Sequence, residues 1–211
     1  MVQKLSLVWF KRDLRIHDHM PLATACAVGL PVLPLYVVEP EYWQQPFAAR
    51  RHWHFIHDSL NELNADCAAL GQPLVVRVGR VTDVFASIEH DFVIKGIYAH
   101  EETSNLWAYQ RDENVRHWCQ AHAIEYHEYP TNGIVRRLRD RDGWARLRNE
   151  RMAGPLIAKP DRLTPLVIEP GKILAKDDEL FGDANDYGDS SAVITFGDDM
   201  LFGDEGDDIL S

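Results

Sequence analysis

Leu5-Ser-Leu-Val-Trp-Phe10, followed at once by Lys11-Arg-Asp-Leu-Arg15, is the stretch on which the fold turns. A short apolar run closed abruptly by charge reads as a buried strand opening onto a polar loop. Pro21 to Gly29 follows as a helix, with Pro in its first turn and Gly beyond its end. Pro31-Val-Leu-Pro-Leu-Tyr-Val-Val38 is apolar on both faces, as a strand between two helical layers should be, although Pro34 argues for a strand end or sheet edge. Phe47, Arg50, Trp53, Ile56, Leu60, Leu63, Cys67 and Leu70 then recur at three- and four-residue steps, a helical stripe stopped by Gly71 and Pro73.

The alternation continues to the fifth strand. Leu74 to Gly79 is a third strand, Val81 to His90 an amphipathic helix, and Lys95-Gly-Ile-Tyr-Ala-His100 a fourth strand. Thr103 or Ser104 caps a helix running to about His122, and Ile124 to Pro130 is the fifth strand. Five strands separated by helix-length segments predict an α/β fold, a doubly wound, Rossmann-like parallel sheet of five strands. Ligands of such sheets bind outside the carboxyl ends of the strands, which nominates the loops from Phe10, from Val38 and from His100. No G-x-G-x-x-G follows the first strand and no Walker loop occurs, so phosphate cradling by glycine is not the mechanism.

With 211 residues, 45% hydrophobic and 26% charged, the chain suits one globular domain plus an appendix, which excludes a collagen, a mucin or a wholly disordered chain. No apolar run is long enough for a membrane span or a signal-peptide core, and a cytoplasmic location is expected. Cys26, Cys67 and Cys119 are too few and too far apart for a disulfide framework or a metal knuckle, and read as buried thiols. The net charge of −11 is uneven: from Gly171 onward twelve acids face only Lys172 and Lys176, which leaves −1 on the first 170 residues. Composition therefore divides the chain into an α/β domain over 1–133, a basic helical connection over 134–170 and an acidic tail over 171–211.

Leu7-Val-Trp-Phe-Lys-Arg-Asp-Leu-Arg-Ile-His-Asp18, then Pro21-Leu-Ala, resembles the opening of the DNA photolyase and cryptochrome family. Val32 to Val38, Leu74 to Gly79, and Tyr98-Ala-His-Glu-Glu-Thr103 leading to Arg111-Asp-x-x-Val115 agree in order. The resemblance covers roughly residues 4 to 165, the antenna domain and the start of its linker. It implies a domain that holds a light-harvesting chromophore, which in the family is a flavin, a deazaflavin or a folate. That chromophore passes excitation to FAD in a larger helical domain, which also contacts DNA and carries out photorepair or blue-light sensing. The helical domain is missing from this sequence, so the chain alone is not expected to catalyse repair, and no catalytic residue is assigned.

The residues expected at the chromophore are Phe10, Lys11, Arg12, Asp13, Val38, Glu39, His100, Glu101, Glu102 and Asn105. The loop and crevice-mouth residues also have a plainer reading, because an Arg-Asp pair can simply pin a loop and acids near a helix start complement its dipole. Two positions depart from the family pattern. His19 stands where the family has Asn, and the acidic residue of folate-binding members falls on Asn105, which counts against a folate.

His52, His54 and His57 lack a fourth ligand at zinc spacing. The cluster of basic residues from Arg136 to Arg162 is interleaved with acids, as a solvated or domain-facing helix is, although such a cluster could also touch nucleic-acid phosphate. The tail has a pattern of its own: Gly203-Asp-Glu-Gly-Asp-Asp-Ile-Leu-Ser211 resembles an RTX calcium repeat, with Asp199 and Asp208 as weak calcium candidates. Two partial turns supply few of the six to eight oxygens that calcium takes, so the tail is expected to be poorly ordered or a partial β-roll. A nucleotide-binding α/β protein and a calcium-responsive fusion are the rival readings.

Overall fold

A computed structural model of the chain describes residues 2–178 and Leu180, except 132, 137 and 139. Five strands alternate with helices: β1 (Lys4–Phe10), α1 (Met20–Ala27), β2 (Val32–Val38), α2 (Pro40–Trp43), α3 (Arg50–Ala69), β3 (Val75–Val78), α4 (Val81–Asp91), β4 (Val93–His100), α5 (Leu106–Ala121), β5 (Glu125–Tyr129) and α6 (Trp144–Met152). The sheet order is β3-β2-β1-β4-β5 and all four pairings are parallel. The chain winds outward from β1 in one direction, then crosses back to β4 and continues in the other. The strand order therefore reverses between β1 and β4, and a crevice opens at their carboxyl ends.

Period-two alternation builds the two cores. On β1, Leu5, Leu7 and Trp9 face one side, where they pack with Val84, Phe85 and Ile88 of α4 and Val115 and Cys119 of α5. Val8 and Phe10 face the other, against Leu22 of α1 and Trp53, Leu60, Leu63 and Cys67 of α3. Each fully buried leucine contributes about 1.5–3 kcal/mol of apolar transfer free energy, which is why a strand covered on both faces carries so little polarity.

Pro34 is not on an edge strand, because β2 lies between β1 and β3. The N–H of Val32 donates to the carbonyl of Thr164, outside the β1 ladder, and Pro34 presents the same side two residues later. Pairing with β3 starts only at Leu35, so the missing N–H of Pro34 falls where no ladder partner waits. The helix after β4 is capped by Asn105, whose Oδ1 accepts from the N–H of Ala108, rather than by Thr103 or Ser104. All three residue types can cap, and the extended backbone at Asn105 decides it.

Among the described residues of the basic stretch, regular helix is confined to α6, an exposed helix with no buried residue. Beyond Gly154 prolines recur at 155, 160, 165 and 170 and hold the chain extended. This strap packs back onto the domain. Leu163 and Leu166 are buried, the N–H of Leu163 donates to Leu70 O, the N–H of Leu166 donates to Gln72 Oε1, and the N–H of Val76 donates to Pro170 O. The strap continues past Pro170: the Trp53 indole N–H donates to Ala175 O, and Leu180 reaches the core beside α3. Gly171, at φ +78°, lies so close to Val76 O that a Cβ would collide with it.

Candidate functional site at the carboxyl ends of the sheet

The loop after β1 turns sharply because Asp13 folds back on it. Its Oδ1 accepts the N–H of Lys11 at 2.8 Å, and its Oδ2 accepts from two imidazoles, His19 Nε2 at 2.8 Å and His100 Nδ1 at 2.5 Å. The two rings meet edge to face with centroids 4.5 Å apart, and Phe10 packs on His19 at 4.7 Å. Burial pushes the Asp13 carboxyl up, but the hydrogen bonds from His100 and His19 outweigh it and hold the group well below the usual carboxylate range. Burial also pushes His19 below the usual imidazole range, against the pull of Asp13.

Asp13, His19 and His100 place three potential metal ligands within 4.8 Å of one another. The protons decide against an ion. The Nδ1 of His19 accepts the N–H of Leu22 at 3.1 Å as the cap of α1, so its single proton sits on Nε2 and points at Asp13. An imidazole nitrogen that carries a proton has no lone pair for a metal, and the cluster is a hydrogen-bonded brace.

Behind this brace lies a buried ion network. Lys11 Nζ pairs with Asp112 Oδ2 at 2.7 Å, both side chains being almost fully buried. Arg111 reaches Glu39 at 2.9 Å, Asp112 at 3.0 Å and Glu102 at 3.6 Å, and burial, which disfavours its charge, is outweighed by these acids. Arg136 bridges Asp112 at 3.3 Å and Glu128 at 3.0 Å and donates through Nε to Glu102 O, while Arg116 pairs with Glu113 and Glu128. Lys11 and Arg111 also lie over the Trp9 ring at 4.5 and 4.8 Å. Carboxyl ends of four strands are thus tied together by charge, which fixes the loops that carry the site.

Between the loops opens a cavity of about 330 Å3, lined by Lys11, Arg12, Asp13, Arg15, His100, Glu101, Glu102, Thr103, Ser104, Thr131 and Ile134. Six of the ten residues expected from the sequence therefore share one wall: Lys11, Arg12, Asp13, His100, Glu101 and Glu102. The other four do not reach it. Phe10 and Val38 are core residues, Glu39 is committed to Arg111, and Asn105 is the cap of α5. Glu101 Oε2 and Ser104 Oγ, on two of the lining residues, are buried without a hydrogen-bond partner in the described structure.

Sequence reasoning missed Asp112, Arg111 and Arg136 as supports of the site. Arg111-Asp112 was visible as a motif, but nothing in its spacing tells that it reaches Lys11. Asp199 and Asp208 lie outside the described residues. Among the described residues no helix is long and apolar enough to cross a membrane.

The family model described as DNA photolyase matches residues 6–141. The deoxyribodipyrimidine photo-lyase of Salmonella typhimurium is 39% identical over 112 residues, covering 52% of this chain and 23% of that protein. The cryptochrome DASH of Gloeobacter violaceus is 31% identical over 118 residues, covering 53% and 24%. Among solved structures, the cryptochrome of Synechocystis sp. superposes with a TM-score of 0.70 at 25% identity, over 86% of this chain and 41% of that one. The chain spans about a quarter of the length of the curated relatives it matches.

Proposed function

The chain belongs to the DNA photolyase family, and from that premise we propose that the crevice between β1 and β4 seats a light-harvesting chromophore. A flavin, a deazaflavin or a folate is the class of ligand. When bound, the chromophore absorbs light and hands on the excitation. The observation that carries the proposal is the cavity of about 330 Å3 at the reversal of strand order, lined by Lys11, Arg12, His100, Glu101 and Glu102. A few charged and polar groups converging on one cavity fix the orientation of a ligand through its own polar atoms. Lys11, Arg12, His100, Glu101, Glu102 and Ser104 would hold it.

Energy acceptance by FAD, contact with DNA, and dimer repair or blue-light sensing belong in this proposal to a helical FAD-binding domain. They are not assigned to residues 2–180. We further propose that the strap from Gly154 to Leu180 is part of the antenna unit, with the acidic tail following it. The sheet end and the strap together make one rigid body for the crevice to sit on.

A fluorescence titration of the chain with FMN, 8-hydroxy-5-deazariboflavin and a reduced folate tests the assignment. Saturable micromolar binding of one of them, weakened by Glu101→Gln or Ser104→Ala, is the expected result. A folded chain that binds none of the three overturns it.

A further inference from the structure

His100 is a buried group of the crevice whose hydrogen-bonding capacity is half used among the described residues. Its Nδ1 lies 2.5 Å from Asp13 Oδ2, a carboxylate oxygen that only accepts, so the ring proton is on Nδ1. In the neutral imidazole Nε2 is then a bare lone pair, on a ring that is 4% exposed and lines the cavity. No hydrogen bond to Nε2 exists among the described residues. The Asp13 brace removes the alternative tautomer, because an Nδ1 lone pair facing the carboxylate would set two acceptors against each other. His19 holds Asp13 from the other side through its own Nε2–H, and Leu22 fixes the His19 tautomer in turn.

Around that lone pair the cavity is lined by a further acceptor group, the Glu101 carboxylate, and by donor groups in the Arg12 guanidinium and the Ser104 hydroxyl. Acceptors flanked by donors match an edge on which an N–H sits beside carbonyl groups. We infer that His100 Nε2 is the specificity-determining acceptor of the crevice, taking a hydrogen bond from a cyclic imide or lactam N–H, with Asp13 and His19 as positioning residues behind it. The inference rests on the chromophore reading and deepens it. Flavin, deazaflavin and pterin rings all carry such an N–H, whereas a ligand without one leaves His100 Nε2 unpaired in a buried wall, the kind of loss a polar site penalises most.

Two measurements test it on the intact chain. Long-range nitrogen–proton NMR of the histidine rings reports the tautomers without any ligand: His100 protonated on Nδ1 and His19 on Nε2 are expected, and a His100 protonated on Nε2 overturns the inference. Binding is then compared for two pairs of probes, lumiflavin with 3-methyllumiflavin and 6-methylpterin with 3,6-dimethylpterin. For the ring system that binds, roughly ten-fold tighter binding of the unmethylated member is expected, a difference abolished in His100→Phe and partly kept in His100→Gln, which retains an acceptor. Equal affinity of the two members, or a preference that survives in His100→Phe, overturns the inference while leaving the crevice as the ligand site. Binding of neither ring system, nor of 8-hydroxy-5-deazariboflavin, overturns the chromophore reading itself and this inference with it. Should His100→Phe fail to fold, the wild-type preference and the tautomer decide the matter.

Discussion

Lys11 and Asp112 are 101 residues apart in the chain and form a 2.7 Å ion pair with side chains only 3% and 1% exposed. At that depth neither charge is solvated, so each depends on the other and on the neighbouring Arg111 and Arg136. Removing one partner is costlier than removing both. Asp112→Ala is expected to lower the unfolding free energy by about 3–5 kcal/mol, because it leaves buried cations without their acid. Urea unfolding of Asp112→Ala, Lys11→Met and the double variant checks this: the double variant should be more stable than Asp112→Ala. Strictly additive losses would show that the pair is not coupled.

Stability should fall with acid in two steps. Burial pushes His19 below its usual 6.5, so the unfolded chain takes up that proton first and stability declines as pH drops below about 6.5. For Asp13, burial raises the carboxyl but the His100 and His19 hydrogen bonds win and hold it well below 3.8. Its contribution is therefore complete above about pH 3.8 and is lost as pH falls further. His19→Asn keeps a capping side chain for α1 and removes the titrating ring, so it should flatten the first decline, while the loss of the His19 hydrogen bond should weaken the second, leaving it to His100. Unfolding free energy measured between about pH 2 and 8 gives the comparison, and an unchanged slope below about pH 6.5 in His19→Asn contradicts the account.

Asn105 should behave as a cap and not as a ligand. Asn105→Ala is expected to cost about 1 kcal/mol of stability, and Asn105→Asp close to nothing, with chromophore affinity unchanged in both. Parallel thermal melts and titrations separate the two roles, since a ligand contact would appear as lost affinity at constant stability.

The strap from Gly154 to Leu180 should be integral to the fold. Leu163 is 1% exposed, so Leu163→Ala is expected to cost about 2–5 kcal/mol. Gly171→Ala should also destabilise, because its positive φ and the close approach of Val76 O leave no room for a Cβ. Chemical denaturation of both variants provides the check. Wild-type stability in both would mean that the strap lies loosely on the domain.

Much of the architecture was legible because it is local. Period-two and period-3.6 apolar spacing marks β1 to β5 and the helices between them, and Gly71 and Pro73 end α3 as their backbone preferences require. The loops at the carboxyl ends follow from the winding rule, and six of the ten residues named from it line one cavity. Phe10 and Val38 pack in the core, since the last residue of a strand can point into it or out of it, and Glu39 pairs with Arg111, a partner that nothing near it in sequence shows.

Sequence by itself determined the strands, their parallel winding and the position of the crevice, since these follow from short-range patterning and the handedness of connections. It also carried the family motif from Leu7 to Asp18. Only the tertiary structure decided that Asp13 is shared by His19 and His100, that Lys11 meets Asp112, and that residues beyond Gly154 fold back to close the core. Those contacts join residues 6 to 122 positions apart, and their partners are selected by burial and unmet hydrogen bonds, quantities that exist only once the chain is packed.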